Sequence, residues 1–188
     1  MRLILASQSQ PRRKALDLLG LQYEVIPSHF DEKSIRNDDP LQLARKLSEA
    51  KALEIGKNNQ DALIVAADSF ITLNKKIYEK PANNNEAIEM LETFSGKNLE
   101  MISGLAVLNT AKNKMLSTVE SCTIKFRKLT EGEIADYVAR YPVTRFAGAF
   151  DGDGVVRFAD HLNGNYNFQT GLPMNKLILF LRENGLQV

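Results

Sequence analysis

The most constraining feature of the sequence is the apolar run Ala62-Leu-Ile-Val-Ala-Ala67, which is followed at once by Asp68. An unbroken apolar run of this length is typical of a strand that is buried on both faces of a sheet. Ligands of α/β sheets gather beyond the carboxyl ends of such strands, where we expect Asp68 to lie. The run therefore predicts an α/β protein with a candidate functional carboxylate, and a purely structural capping Asp is the alternative.

A second short apolar run, Leu3–Ala6, leads through a polar turn into a predicted helix with Ser9 as its N-cap and Pro11 in its first turn. Arg12 and Arg13 follow at that helix start. Two cations are locally unfavourable there, because the helix N-terminus already carries roughly half a positive charge. They are explained if the arginines, the serine hydroxyls and the free backbone amides bind an anion such as phosphate. A solvated pair of arginines on an ordinary helix is the alternative.

The rest of the chain predicts helices and strands without repeats or low-complexity linkers. Further strands are expected at Tyr23–Ile26, Phe70–Leu73, Ile77–Tyr78, Met101–Leu108, Thr118–Phe126 and Val155–Phe158. Further helices are expected from Asp38-Asp39-Pro40 to Gly56, from about Asn85 to Phe94, from the capping box at Thr130 to Arg140, and from Met174 to Asn184. The fold expected is one mixed α/β domain over residues 1–188, a single mixed, elongated and twisted sheet flanked by helices. The acidic, glycine-rich segment Asp151–Gly154 is expected to be a mobile turn before the strand at Val155.

Charge and cysteine content narrow the classes of function. Lys and Arg number 24 against 23 Asp and Glu, a net charge of +1, so nothing in the overall charge attracts nucleic acid or an acidic membrane. Cys122 is the single cysteine, which excludes a disulfide framework and a paired-cysteine metal site. No apolar run is long enough for a signal peptide or a membrane span. We therefore expect a cytoplasmic protein that binds neither nucleic acid nor membrane.

The familiar catalytic motifs are missing, and the residues that remain suit phosphoryl chemistry. There is no P-loop, dinucleotide-binding glycine motif, zinc-protease motif or serine-hydrolase elbow. His29 and His161 are too far apart in sequence to suggest a zinc pair. Serines, arginines, lysines and strand-end carboxylates are what a protein needs to position a polyphosphate, to hold Mg²⁺ and to orient a water molecule.

Several short motifs occur in a characteristic order along the chain. They are Leu5-Ala-Ser-Gln-Ser-Gln-Pro-Arg-Arg13, Lys51-Ala52, Ala66-Ala-Asp68, Glu79-Lys-Pro81, Phe94-Ser-Gly96, Phe126-Arg-Lys-Leu129, Ala147-Gly-Ala-Phe150 and Gly171-Leu-Pro173. In this order they resemble the Maf family of nucleoside triphosphate pyrophosphatases over nearly the whole chain. The resemblance implies a fold like that of Maf proteins and inosine triphosphate pyrophosphatase. It also implies hydrolysis between the α and β phosphates, and a homodimer.

The resemblance also assigns roles to residues. Asp68 matches the proton acceptor that activates water, and Glu32 with Asp68 would hold the divalent cation, Mg²⁺ or Mn²⁺. The positions that hold the phosphates correspond to Ser7, Arg12, Arg13, Lys51 and Lys80, with Arg12 in the better register of the two arginines. The positions through which the family selects the base correspond to Pro11, Ser69 and Asp153.

This chain departs from the family pattern at several of these positions. Members that prefer dTTP and UTP carry Arg, Thr and Gln at the three selecting positions, and those that prefer 7-methyl-GTP carry Trp, Gln and Glu. The carboxylate of Asp153 can accept from guanine N1–H and N2–H₂, which favours a guanine-like base. The expected substrate is thus a guanine-like nucleoside triphosphate, normal or modified, and the expected role is housecleaning of the nucleotide pool. A dTTP/UTP preference is the alternative. Ala50 replaces the family's Glu and the family's Ser-Pro is shifted at Pro11, so a nucleotide-binding regulator of septum formation with weak or no hydrolysis is also an alternative.

Overall fold

The computed structural model describes residues 1–165 and 167–188. Its strands are β1 (Arg2–Leu5), β2 (Glu24–Val25), β3 (Ala62–Leu73), β4 (Lys76–Tyr78), β5 (Asn98–Asn109), β6 (Lys114–Phe126) and β7 (Ala159–Asn163). Its α-helices are α1 (Gln10–Asp17), α2 (Pro40–Gly56), α3 (Asn84–Phe94), α4 (Glu131–Arg140), α5 (Gly152–Phe158), α6 (Asn167–Thr170) and α7 (Met174–Glu183). Short 3-10 helices lie at Glu32–Ser34, Val143–Arg145 and Ala147–Ala149.

The strands of the described residues form one open mixed sheet. Its order is β2-β1-β3-β5-β6-β7, and β4 pairs with β3 off this path. β1 pairs in parallel with both β2 and β3, whereas the β3–β4 and β6–β7 pairs are antiparallel. The predicted α/β class with a single mixed sheet is thereby confirmed.

By their contacts the residues form two compact units. The first unit comprises Met1–Asp68, Ser103–Glu120 and Thr170–Val188, and the second comprises Ser69–Ile102 and Ser121–Gln169. The sequence expectation of one domain over residues 1–188 stays a prediction.

In the first unit, both faces of the parallel strands are covered. Alternate residues belong to different apolar clusters: Leu3 and Leu63 pack in one, and Ile4 and Ile64 pack in the other. Successive side chains of a strand point to opposite faces, so two clusters that divide the strands in this way lie on the two faces of the sheet. The central run therefore has the double burial that its unbroken hydrophobicity predicts.

The second unit is built around aromatic side chains. Phe94 contacts the rings of Tyr78, Phe126 and Phe150 with centroid distances of 4.8, 6.2 and 6.2 Å, all edge to face. Phe158 completes the cluster at 5.6 Å from Phe126. Edge-to-face geometry is favourable for aromatic pairs, and aliphatic side chains such as Leu91, Leu99 and Ile124 complete this core.

Helix and turn signals that act over a few residues predicted their elements well. α2 begins at Pro40, where the side chain of Asp39 accepts from the Leu41 amide, and it ends at Gly56. The capping box of Thr130 and Glu133 opens α4. β3 and β4 include the strands expected at Phe70–Leu73 and Ile77–Tyr78, and they form a hairpin with Asn74 and Lys75 at positive φ in the turn.

Two expectations are wrong. Val155–Phe158 is the end of helix α5 rather than a strand, and the strand that pairs with β6 begins only at Ala159. The side chain of Asp151 accepts from the Gly154 amide and so caps this helix, and a Cβ on Gly154 would lie 2.6 Å from the Tyr137 hydroxyl oxygen. Gly154 allows the helix to pack closely against Tyr137. In the sequence, a glycine at this position resembles a turn residue. The segment from Asp151 is thus a helix start and not a mobile turn.

Candidate functional site

Asp68 lies within β3 and not at its end. The parallel pairing of β1 with β3 finishes at Leu5 and Val65, and β3 continues through Asp68 to Leu73. Asp68 thus lies three residues after Val65, the last residue of β3 that pairs with β1. It is on the side of the carboxyl end of β1 and is only 6% exposed. Asp68 therefore lies beyond the carboxyl end of a parallel strand, as expected, but that strand is β1. The prediction that β3 itself ends before Asp68 is wrong.

Lys51 is the main partner of Asp68. It lies on the buried face of α2 with Leu47 and Ile55, and it is 9% exposed. Its Nζ donates to Oδ1 of Asp68. Burial raises the pKa of Asp68 above its ordinary value, and Lys51 opposes this by favouring the ionised form. The site therefore holds a buried carboxylate whose proton affinity is increased and whose charge is paired.

Glu32 brings a second carboxylate to the same lysine. It starts the 3-10 helix Glu32–Ser34, where Asp31 accepts from the Lys33 amide and fixes the turn. The Nζ of Lys51 lies 2.7 Å from Oε1 of Glu32, whose side chain is 57% exposed. Two carboxylates thus converge on one cationic atom.

The oxygen atoms of these two carboxylates are suitable ligands for a hard divalent cation. Carboxylate oxygens are the donors that Mg²⁺ prefers, and Mg²⁺ in phosphate-handling sites is commonly held by one or two carboxylates with substrate phosphates and water. Within the described residues no group of three or more His, Cys, Asp or Glu side chains is arranged to hold a metal. The carboxylates of Glu32 and Asp68 are the groups of this cluster that could hold such an ion.

Arg12 ties three separate segments together. In the first turn of α1, its Nη1 donates to the carbonyl oxygen of Ala67 over 2.8 Å and to Oγ of Ser7 over 3.3 Å. Its Nε donates to the carbonyl oxygen of Gly171 over 3.2 Å. Desolvation lowers the pKa of Arg12, and the negative charges of Asp68 and Glu32 oppose that effect. Arg12 is thus a fixed positive charge beside the acidic pair.

The start of α1 adds polar groups around Ser7, which is itself buried. Ser9 is the N-cap residue, but its side chain makes no cap hydrogen bond; its amide donates instead to Oγ of Ser7 over 3.2 Å. The Nε atom of Arg13 is buried and has no hydrogen-bond partner among the described residues. Buried donors are normally paired, so this one is a candidate for binding a ligand. Pro11 lies in the first turn of α1 and is exposed.

Three predicted site residues belong to the second unit. Ser69 is half-buried in β3, Lys80 is exposed after β4, and Asp153 is exposed in the first turn of α5. Phe150 is buried in the aromatic cluster of that unit. Phe146 is half-buried.

The first unit thus brings together Ser7, Arg12, Lys51, Asp68 and Glu32 in one connected cluster of contacts. Sequence reasoning missed two acceptors within it, the carbonyl oxygens of Ala67 and Gly171. The Gly171-Leu-Pro173 motif was the available signal, and Gly171 has a φ of +61° that suits glycine. The roles assigned to the site residues stay predictions.

The comparison with known proteins decides the family. The family described as Maf-like protein matches residues 2–184. The chain belongs to this family. The resemblance inferred from the ordered motifs is therefore confirmed.

Relatives of this Maf-like protein have curated names. A dTTP/UTP pyrophosphatase of Aquifex aeolicus is 36% identical over 99% of this chain and 97% of its own length. A dTTP/UTP pyrophosphatase of Bacillus cereus strain AH820 is 34% identical over 100% of this chain and 97% of its own length. Both are hydrolases of the class that the resemblance implied.

A solved structure shares the fold. The HAM1 protein from Coxiella burnetii matches with a TM-score of 0.54 and 14% identity, and the match covers 97% of this chain and 99% of that one. This confirms the expected architecture. Within the described residues, no helix has the length and apolar character needed to cross a bilayer.

Proposed function

We propose that this Maf-like protein is a nucleoside triphosphate pyrophosphatase that hydrolyses its substrate to a monophosphate and pyrophosphate. The observation that carries the proposal is the cluster in which a buried Asp68 is flanked by the cations Lys51 and Arg12. The names of the relatives from Aquifex aeolicus and Bacillus cereus support the same reaction.

In this proposal Asp68 accepts the proton of the attacking water. The water oxygen bonds to phosphorus, the bridging P–O bond between the α and β phosphates breaks, and pyrophosphate leaves. A general base works best when its pKa is raised towards the working pH, and burial shifts the pKa of Asp68 in that direction. The pairing with Lys51 keeps part of the carboxyl population ionised, as a base must be.

The phosphates are held by Ser7, Arg12, Arg13, Lys51 and Lys80. Phosphoryl transfer depends mainly on positioning and on stabilising negative charge, which preorganised cations supply. Arg12 is preorganised because its guanidinium is already fixed by three acceptors. The Nε of Arg13, which has no hydrogen-bond partner in the part of the chain that the structure describes, offers a further donor.

The reaction is proposed to require Mg²⁺ or Mn²⁺, held by Glu32 and Asp68. When bound, the cation would neutralise charge on the phosphates of the substrate. The convergence of both carboxylates on the single Nζ of Lys51 supports this pair as the protein's metal ligands.

The test is pyrophosphate release from dTTP, UTP, CTP, GTP and 7-methyl-GTP with Mg²⁺ or Mn²⁺. Asp68→Asn should abolish release, because an amide cannot accept the proton. The matched control is Asp61→Asn, which makes the same change at an exposed residue just before β3, where a φ of +50° suits Asn as well as Asp. Nucleotide binding without release from any substrate would overturn the proposal in favour of the regulator of septum formation, with Ala50 as the first position to restore to Glu.

Two preferences for the base are distinguished by the same substrate panel. The relatives' names favour dTTP and UTP. The exposed carboxylate of Asp153 favours a guanine-like base, because it can accept two hydrogen bonds from guanine. A higher kcat/KM for UTP and dTTP would support the first, and a higher value for GTP or 7-methyl-GTP the second.

The expected homodimer, the cytoplasmic location and the lack of nucleic-acid binding are parts of the same proposal. Sedimentation equilibrium would report the mass in solution, fractionation of cells the location, and titration with duplex DNA at low salt the affinity for nucleic acid. A membrane-bound fraction, or DNA binding that salt abolishes, would contradict the corresponding part.

A further inference from the structure

The side chain of Lys51 occupies the place at which both carboxylates of the site meet a cation. Its Nζ contacts Oδ1 of Asp68 and lies 2.7 Å from Oε1 of Glu32. A Mg²⁺ ion bound by both groups would require their oxygens at about 2.0–2.1 Å. No room exists for an ammonium group and a divalent ion at the same point between the same two oxygens.

This arrangement is held by the protein and is not a chance surface contact. Lys51 projects from the buried face of α2, and its side chain is 11% exposed, against 9% for that of Asp68. A charge buried to that extent requires a partner, because an unpaired buried ion is strongly destabilising. Lys51 therefore stabilises the carboxylates in the free protein, and any metal ion must displace it.

We propose that Lys51 acts as an internal competitor for the divalent cation, so that the free protein binds Mg²⁺ or Mn²⁺ weakly. A triphosphate offers the ammonium group alternative anionic partners and so releases the carboxylates to the metal. Metal and triphosphate thus bind with positive coupling, and the coupling is equal in both directions by linkage. The inference rests on the metal site of the proposed function but not on turnover.

The test is Mn²⁺ binding to the substrate-free protein, measured by the electron paramagnetic resonance signal of free Mn²⁺. Lys51→Met should bind Mn²⁺ about tenfold more tightly than the wild-type protein, within the range typical of coupled sites. The matched control is Lys46→Met, which removes an exposed lysine from the same helix and should leave the affinity unchanged. The gain should disappear in Lys51→Met combined with Glu32→Gln. An unchanged or weaker affinity in Lys51→Met, or a gain that survives Glu32→Gln, overturns the inference.

A second measurement uses the wild-type protein and so does not depend on how the variants fold. Acetylation of lysines, followed by mass spectrometry, reports the accessibility of each amine. Mn²⁺ should increase the acetylation rate of Lys51 and leave that of Lys46 unchanged, because only Lys51 is displaced. Equal rates for Lys51 with and without Mn²⁺ at saturation overturn the inference.

These results are separable from those on the proposed function. Release of pyrophosphate without a gain in Mn²⁺ affinity in Lys51→Met overturns the competition alone. A gain in affinity in a protein that releases no pyrophosphate overturns the proposed reaction alone.

Discussion

Gly104 of β5 lies against the backbone of Ala44 in α2, so closely that a Cβ on Gly104 would be 2.2 Å from the carbonyl oxygen of Ala44. The obstructing atoms are backbone, which cannot move aside as the end of a flexible side chain can. This contact sets the position of α2, and α2 carries Lys51. The placement of the site lysine therefore depends on the absence of one methyl group on a neighbouring strand.

Gly104→Ala should destabilise the protein by about 1–3 kcal/mol, as overpacking of a close contact does. It should also lower pyrophosphate release, since α2 must shift and Lys51 with it. Urea denaturation and initial rates measure the two effects. The matched control is Gly132→Ala in α4, where an added Cβ meets no atom within 4 Å. That control should be neutral or stabilise by about 0.5–1 kcal/mol. Equal effects of the two substitutions would show that the contact at Ala44 does not constrain the helix.

Substitutions of Arg12 and Arg13 should have different effects, the first on stability and the second on substrate binding. Arg12→Met removes hydrogen bonds to Ser7, Ala67 and Gly171, and it should reduce the free energy of unfolding by about 1–3 kcal/mol. Arg13→Met removes a buried donor without a partner among the described residues, so it should leave stability nearly unchanged while raising KM. Denaturation and steady-state kinetics on both variants make the comparison. A large loss of stability in Arg13→Met, with KM unaltered, would show that Arg13 is structural.

The contacts of Glu133 predict that the free energy of unfolding depends on pH in a specific way. Its carboxylate accepts from the amide and hydroxyl of Thr130 and lies 2.7 Å from Nη2 of Arg127. The hydrogen bond from Arg127, with those from Thr130, lowers the pKa of Glu133 from 4.5 to about 2. Because the folded state favours the ionised form, the stabilisation is present above pH 4.5 and is lost as the pH falls towards 2.

The urea midpoint of the wild-type protein should therefore exceed that of Glu133→Gln at neutral pH, and the gap should close on acidification. Glu131→Gln is the control, since Glu131 is in the same first turn of α4 but has no contact of this kind among those described. A gap that stays constant between pH 4.5 and 2 would contradict the assignment.

Asp153 offers a test of the base preference. Asp153→Asn replaces a carboxylate that can accept two hydrogen bonds from guanine by an amide that accepts fewer. If the carboxylate reads the base, the ratio of kcat/KM for GTP to that for UTP should fall about tenfold or more. Asp160→Asn, at an exposed position of β7, is the control. An unchanged ratio in Asp153→Asn would remove Asp153 from the residues that select the base.

Sequence signals that act within a few residues gave more accurate predictions than features that depend on contacts between distant residues. The Asp39 cap of α2 and the capping box at Thr130 are complete within four residues, so their helices were predicted close to the observed bounds. α5 was missed because Gly152 and Gly154 resemble a turn in sequence. Both are helical in the structure, where the side chain of Asp151 caps the helix and a Cβ on Gly154 would meet Tyr137 and Phe150.

The same distinction applies to the candidate site. The expectations that the segment from Ser7 to Arg13 binds an anion and that Asp68 has a functional role came from neighbouring residues, and both stay predictions. The pairing of Lys51 with both carboxylates could not be predicted in this way, since a lysine at the edge of the apolar face of α2 can as well extend into water. Only the packing of α2 decides between these outcomes.

The hydrogen bond from Arg12 to Gly171 joins residues 159 positions apart, one near the start of the chain and one near its end. During synthesis the arginine leaves the ribosome long before its acceptor does. The turn that we propose to bind phosphate consequently lacks this hydrogen bond until the segment around Gly171 has emerged. Such distant contacts slow folding, and this one places the assembly of the proposed phosphate-binding turn late in the synthesis of the chain.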